Sequence, residues 1–299
     1  MVRVAVAGGA KGIGLDIVQA ILDTKKHALT VLSRSDQPSL ISKGIDIKVV
    51  DYSSVQQLKD ALGGVHTVIS CLAAYGSDTA AAELALLEAA KQVEAARFVP
   101  SEWNSACNDV VDLYSGKETV WKAVQSSGLE YTRFVNGLWM NVWGPGCPRD
   151  EEEALGAYKG RPPFCIDVRA GTALIPGDGS QRMVVTRTQD VGRFVAAALE
   201  LPHWEAESRI AGDRLTFTEV VELVKEICGK DLHITTLSVE DLEGILNSGN
   251  LDVGERFYYQ LLLSIALGRT DFEPTLNNLC PHIKSLSVAE YFRRYWKSE

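Results

Sequence analysis

Metal-ligand patterns are missing from this sequence. Its five histidines lie far apart. None pairs with a second ligand at metal-binding spacing, so no metal site is expected. The six cysteines, Cys71, Cys107, Cys147, Cys165, Cys228 and Cys280, are scattered with no C-x-x-C. They read as reduced thiols of an intracellular protein. No apolar run is long enough to span a bilayer, and no signal-peptide pattern precedes the first apolar segment. The expected location is therefore cytoplasmic, with no membrane partner. Positive charge is also short. Lys and Arg number 30 against 39 Asp and Glu, a formal net charge of −9. That balance argues against nucleic acid as the main partner, while leaving room for a local basic pocket. Internal repeats and low-complexity tracts are absent as well.

What is present begins at the first residues. Val2, Val4, Ala5, Val6 and Ala7 form a short apolar run suited to a strand buried on both faces. Gly8, Gly9, Gly12 and Gly14 follow at once, and then Ile13, Ile17, Val18, Ile21 and Leu22 recur at helical spacing. Strand, glycine turn and helix open a dinucleotide-binding fold: the glycines let backbone approach a pyrophosphate, and the helix N-terminus offers it unpaired N–H groups. The spacing is G-x-x-x-G-x-G rather than the common G-x-G-x-x-G. Gly8, Ala10, Lys11, Gly12, Ile13 and Gly14 are the expected loop contacts of the cofactor.

Further strands are expected at 28–32, 45–50, 65–72, 96–100 and 130–135. Helices are expected at 55–62, 79–95 and, after a polar loop, 117–126. Strands alternating with helices at these intervals predict an α/β fold with a doubly wound parallel sheet. Beyond Asn136 the composition changes to loop-like stretches, an acidic run at Asp150–Glu153, a turn at Asp178–Ser180 and helices at 189–199, 217–227 and 252–267. The expected division is a nucleotide-binding domain over 1–140, with 172–212 returning to it. Residues 141–171 and 213–299 would form a smaller substrate-binding cap.

The ends of the strands carry the chemistry. An acidic residue after the second strand holds the ribose hydroxyls of NAD; here Ser33 and Arg34 stand there, and Lys11 lies in the glycine loop. Two cations at these places suit a 2′-phosphate and favour NADP(H). Asp51 and Tyr52 end the third strand, where an adenine would lie, although Asp51 also suits a helix N-terminal cap. Cys71, Leu72 and Ala73 end the fourth. No Tyr-x-x-x-Lys pair, the acid–base signature of ordinary short-chain reductases, occurs. Lys117 is the main candidate acid and Tyr114 the second, with Ser115-Gly116 suggesting that the helix starts after them. The alternative for Lys117 is an exposed lysine in a first helical turn, an unfavourable place for a cation.

Several stretches resemble the isoflavone reductase-like, NmrA-like group of atypical short-chain dehydrogenases: Gly8–Gly14, Arg34, Arg97-Phe-Val-Pro-Ser-Glu-Trp103, Lys117, Gly128–Thr132 with Asn136-Gly137, Gly177–Gly179, Asp190–Arg193 and Asn277–Pro281. The resemblance covers nearly the whole chain. It implies an NADPH-binding domain, with Pro100 and Ser101 beside the cofactor, plus a small cap. It also implies a lysine near the nicotinamide at Lys117, eleven residues before Gly128. Two departures stand out: Lys11 occupies the middle glycine of the usual G-x-x-G-x-x-G, and Trp103 replaces the usual Phe. Trp103, Trp139, Met140, Trp143, Tyr158 and Phe164, with Asn136 and Gly137, are candidate walls for a planar substrate, core packing being the alternative. The expected activity is NADPH-dependent reduction of a small aromatic or conjugated metabolite. A redox-sensing regulator without turnover is the rival, and a homodimer is left open.

Overall fold

A computed structural model of the chain describes residues 1–72, 77–105 and 107–297, with the side chains of 77–79 excepted. Contacts divide it into two compact units: Met1–Trp103, Leu113–Val135 and Val191–Ser208 form the first, and Asn104–Asp112, Asn136–Asp190 and Arg209–Glu299 the second. The segment 172–190, expected to return to the nucleotide-binding domain, falls in the second unit, so only 191–208 returns.

The first unit is built on β1 (Arg3–Ala7), α1 (Gly12–Thr24), β2 (Ala28–Ser33), α2 (Pro38–Ile41), β3 (Asp46–Val49), α3 (Val55–Leu62), β4 (Thr67–Ser70), α4 (Ser77–Gln92), β5 (Arg97–Val99), α5 (Ser115–Gln125), β6 (Glu130–Tyr131) and β7 (Arg133–Val135). Six strands form a parallel sheet in the order β3-β2-β1-β4-β5-β6. The order reverses between β1 and β4, the place where such sheets bind ligands at their carboxyl edge. Alternation along β1 explains its burial on both faces. Ala5 and Ala7 join a cluster with Leu58 of α3, Leu86 and Ala90 of α4 and Val120 and Val124 of α5. Val6, with Val31 of β2 and Val18 of α1, surrounds Gly9 on the other side.

The stretch read as one strand over 130–135 is broken. Glu130 and Tyr131 pair with β5, whereas β7 pairs with β12 (Glu207–Arg209). Thr132 marks the break, and its buried hydroxyl shares a hydrogen bond with that of Ser208 at 2.9 Å. Helix α5 starts at Ser115, earlier than expected, because the single turn Asp112–Tyr114 runs directly into it. Gly116 disfavours helix by about 1 kcal/mol. Burial of Val120, Trp121 and Val124 on the same helix outweighs it.

The second unit contains β8 (Leu138–Trp139), α6 (Glu151–Leu155), β9 (Ile166–Asp167), β10 (Thr172–Pro176), β11 (Arg182–Thr186), β13 (Asp213–Thr216), α8 (Phe217–Cys228), β14 (His233–Leu237), α9 (Val239–Asn247), α10 (Val253–Ala266), α11 (Leu276–Leu279) and α12 (Val288–Tyr295); α7 (Thr188–Ala198) runs from it into the first. Two three-stranded sheets, β14-β10-β9 and β13-β11-β8, cover a core that includes Val220 of α8, Leu262 of α10 and Tyr291 and Phe292 of α12. Helices α8, α9, α10 and α12 each start with a reciprocal capping box, at Thr216/Glu219, Ser238/Asp241, Asp252/Glu255 and Ser287/Glu290. The acidic run does open a helix, with Glu153 paired to Arg294.

All six cysteines are free thiols. Burial raises the thiol pKa of Cys147 and Cys228 to about 11 and lifts Cys71, Cys165 and Cys280 as well. Among the described residues no helix is long and apolar enough to cross a membrane, and no group of three His, Cys, Asp or Glu could hold a metal ion.

Candidate active site

The loop after β1 is shaped by close backbone contact. A Cβ on Gly14 would stand 2.4 Å from the Gly8 carbonyl oxygen, and one on Gly8 would stand 2.8 Å from that of Cys71. Only glycine permits this approach. Gly12 differs: its φ is +57°, and among the described residues a Cβ there would meet nothing within 4 Å outside its own turn, which leaves open space at that point. Lys11 is the N-cap of α1 and makes no side-chain capping bond. The N–H groups of the first turn therefore have no side chain of the N-cap competing for them. Ala10 is half-buried beside exposed Lys11, and Ile13 turns into the core.

Tyr52 braces this loop. Its hydroxyl donates to the Leu32 carbonyl at 2.9 Å and accepts the Gly8 N–H at 3.2 Å. Burial pushes its pKa up to about 12, while the charge of Arg34 acts in the opposite sense. Arg34 itself is exposed, directly after Ser33, whose hydroxyl accepts from the Ser35 N–H and the Gln37 amide. Asp51 is not a helix cap. Ser54 caps α3, and Asp51 instead accepts from the N–H and hydroxyl of Ser53, which hold its carboxyl below the usual range.

Beyond β4, the Cys71 N–H donates to the Ala7 carbonyl at 2.8 Å and the Leu72 carbonyl accepts the Ser101 hydroxyl at 2.7 Å. Ala73, the third expected contact there, lies outside the described residues. Pro100 and Ser101 are buried at the end of β5. Lys117 sits in the first turn of α5 and is only 6 % exposed, which removes the reading of it as a surface lysine. Its ammonium donates to the carbonyls of Ser101 and Glu102, and lies 5.5 Å from the centroid of the Tyr114 ring. Tyr114 is thus beside Lys117, contributing its ring face.

The next residue, Trp103, takes a left-handed φ of +45°, unusual for a bulky side chain. Its indole N–H donates to the Ser70 carbonyl at 2.9 Å, and its ring stacks on Phe134 at 5.5 Å. Strained backbone persists where its surroundings over-determine it. Here Lys117 and the indole hold residues 101–103 from two directions. A third hold, which sequence reasoning missed, comes from Glu83 of α4: its carboxylate accepts the Ser101 N–H at 2.6 Å. Within an alanine-rich helix it reads as one more surface charge.

In the second unit, Met140, Trp143 and Phe164 belong to the buried core, while Trp139 and Tyr158 are half-buried against it. The Trp143 carbonyl accepts the Trp296 indole, Phe164 meets Tyr258 edge-on, and the Tyr158 hydroxyl donates to the Pro162 carbonyl. Asn136 is fully buried, its amide donating to the Gly137 carbonyl, and Gly137 packs on the Val184 backbone.

This arrangement can be compared with known proteins. The NmrA-like family model matches residues 2–267. The chain belongs to the NmrA-like family. Among its relatives, "Oxidoreductase BOA1" of Botryotinia fuckeliana is 37% identical over 240 residues, covering 77% of each chain. "Bifunctional pinoresinol-lariciresinol reductase 2" of Thuja plicata is 26% identical, covering 98% of each. A solved structure described as "AtPrR2 with NADP+ and (+)pinoresinol" shares the fold at a TM-score of 0.79 and 21% identity, again with 98% of each chain covered. As an NmrA-like chain, this one has the family's Rossmann-type sheet with its glycine loop at the switch point.

Proposed function

We propose that the chain is an NADPH-dependent reductase of a small aromatic or otherwise conjugated metabolite. Its own residues fit the cofactor. The uncapped first turn of α1 and the open space at Gly12 suit a pyrophosphate. Lys11 and Arg34 follow adjacent strands and are both exposed, so they are available to a 2′-phosphate. Bound NADPH supplies a hydride. The chain's part is to hold cofactor and acceptor and to manage charge.

The observation that carries the reading is Lys117. A buried ammonium fixed on two carbonyls at the carboxyl edge of the sheet is costly to build. It puts a positive charge beside Ser101, a residue that the family resemblance assigns to the cofactor. When the acceptor carbon of a C=C, C=O or C=N bond takes a hydride, negative charge grows on the conjugated atom. Lys117 would stabilise that charge and pass a proton, directly or through water. Tyr114 lends its ring to the ammonium. Trp139 and Tyr158, two of the half-buried aromatics of the second unit, are candidates for contact with a planar substrate. Kinship with a named oxidoreductase and with a pinoresinol-lariciresinol reductase supports the class of chemistry.

The test pairs binding with turnover. NADPH at a hundred times its dissociation constant should stabilise the protein by about 2.7 kcal/mol, NADH much less. NADPH should then be consumed with some member of a panel of enones, imines and phenolic ketones. If neither nucleotide binds, the proposal fails. A tight NADP-dependent protein partner with no turnover across the panel would replace it with a sensing role.

A further inference from the structure

Ser101 is held from both ends. Its N–H is given to Glu83 of α4, and its carbonyl accepts from Lys117 of α5. Glu83 is 1 % exposed, so its carboxyl group is enclosed. A carboxylate in such a place is costly unless cations and donors compensate it. The charged and titratable groups facing it come from three elements. Lys117 of α5 favours the anion and Glu102 of the loop after β5 opposes it. The Cys71 thiol after β4 is raised mainly by its burial and further by Glu83. The Ser101 N–H and the Ser70 hydroxyl also favour the anion. Burial outweighs them and pushes the carboxyl up to about 7.

We infer that Glu83 is a positioning residue for the reduction: it fixes Ser101 through the N–H bond, and its charge sets how much of the Lys117 field is left for a developing anion. This rests on the reductase reading above. Ionised Glu83 stabilises the Lys117 ammonium and offsets its field. Neutral Glu83 leaves the field of the ammonium uncompensated, so it is a stronger partner for a developing anion. Turnover is therefore faster when Glu83 carries its proton, and kcat falls as pH rises through about 7.

Glu83→Gln is the direct test, because the amide oxygen can still accept the Ser101 N–H while carrying no charge. Wild-type kcat should drop about tenfold across the neutral range, the effect of one nearby charge on an acid. The variant should lack that step, keeping the low-pH rate, with KM for NADPH unchanged. A second readout needs no turnover. Between its ordinary value and about 7, a carboxyl raised on folding binds more protons in the folded state than in the unfolded one. Stability of the cofactor-free wild type should therefore fall as pH rises through that window, and the variant should lose that part of the slope. If the variant does not fold, carbon-13 NMR of wild-type glutamate carboxyls decides. One resonance titrating near 7 supports the inference, and none above the ordinary range overturns it. A folded variant that keeps the wild-type step in kcat also overturns it. A wild type that binds NADPH and reduces nothing removes the reductase reading and the inference with it, whatever Glu83 titrates.

Discussion

Lys117→Met removes a charge and keeps most of the side chain's length. Two carbonyls, in residues 4 % and 3 % exposed, lose a charged donor. Each buried acceptor left unpaired costs about 1–3 kcal/mol. Against that, the ammonium no longer has to be buried, and the methionine thioether packs where the lysine stem lay. A net loss of about 2 kcal/mol follows, lowering Tm by about 3 °C in a chain of this size. The loss should deepen above neutral pH, where Glu83 ionises without its compensating cation. Catalysis separates a structural lysine from a reacting one. If the ammonium acts on charge that grows in the transition state, kcat falls about a hundredfold or more. NADPH affinity, which the proposed function assigns mainly to the glycine loop and Arg34, should move less than about threefold. The assay follows loss of NADPH absorbance with a saturating acceptor, alongside thermal denaturation of the same preparation. Stability lost with kcat kept within about twofold would refute the reasoning: Lys117 would then be a brace for residues 101 and 102 and nothing more. Tyr114→Phe is the companion. A hundredfold loss there, with Lys117→Met near wild type, would move the acid to Tyr114.

Arg34→Ala should weaken NADPH binding about ten- to a hundredfold, the scale of one lost bond to a charged group, and leave NADH nearly unchanged; equal wild-type affinities for the two nucleotides, by calorimetry, would defeat the 2′-phosphate assignment. Tyr52→Phe removes bonds to Gly8 and Leu32 and should cost about 1–2 kcal/mol, read as a lower urea midpoint with an unchanged slope; an unmoved midpoint means the hydroxyl braces nothing. Gly14→Ala must displace the Gly8 carbonyl, so it should lower stability by about 1–3 kcal/mol or more. Gly12→Ala meets only backbone strain of about 1 kcal/mol, yet should weaken NADPH binding at least as much, because its methyl group enters the open space; full affinity in that variant would place the pyrophosphate elsewhere.

The opening strand, loop and helix were legible because they follow local rules: an apolar β-branched run, glycines at a tight approach, then helical spacing. The parallel sheet followed from alternation alone. What escaped was set by contacts distant in sequence. Glu130–Val135 is continuous in pattern, and only the pairing of β7 with β12 reveals the break at Thr132. Helix α5 starts earlier than its local sequence suggests: Ser115-Gly116 is weak helix locally, whereas burial further along the helix decides. Glu83 was invisible since nothing around it in sequence shows which face of α4 meets Ser101. The left-handed Trp103 had no local sign either. By contrast, α9 and α12 were readable and were missed: Ser238 with Asp241, and Ser287 with Glu290, are spaced as capping boxes.

The withdrawn thiols described above bear on self-damage. Enones, quinone methides and their kin, the acceptors a reductase of conjugated compounds would handle, also alkylate cysteine, and only the thiolate reacts quickly. A thiol with a pKa of about 11, as at Cys147 and Cys228, is ionised to about one part in ten thousand at neutral pH. Cys71, at the end of β4, is held further still from ionisation. If the proposed function holds, a reductase so built would meet such acceptors over many turnovers without consuming itself. In the folded protein, trapping by iodoacetamide should be slow at every one of these positions, so that the rate of alkylation becomes a clock for opening of the chain.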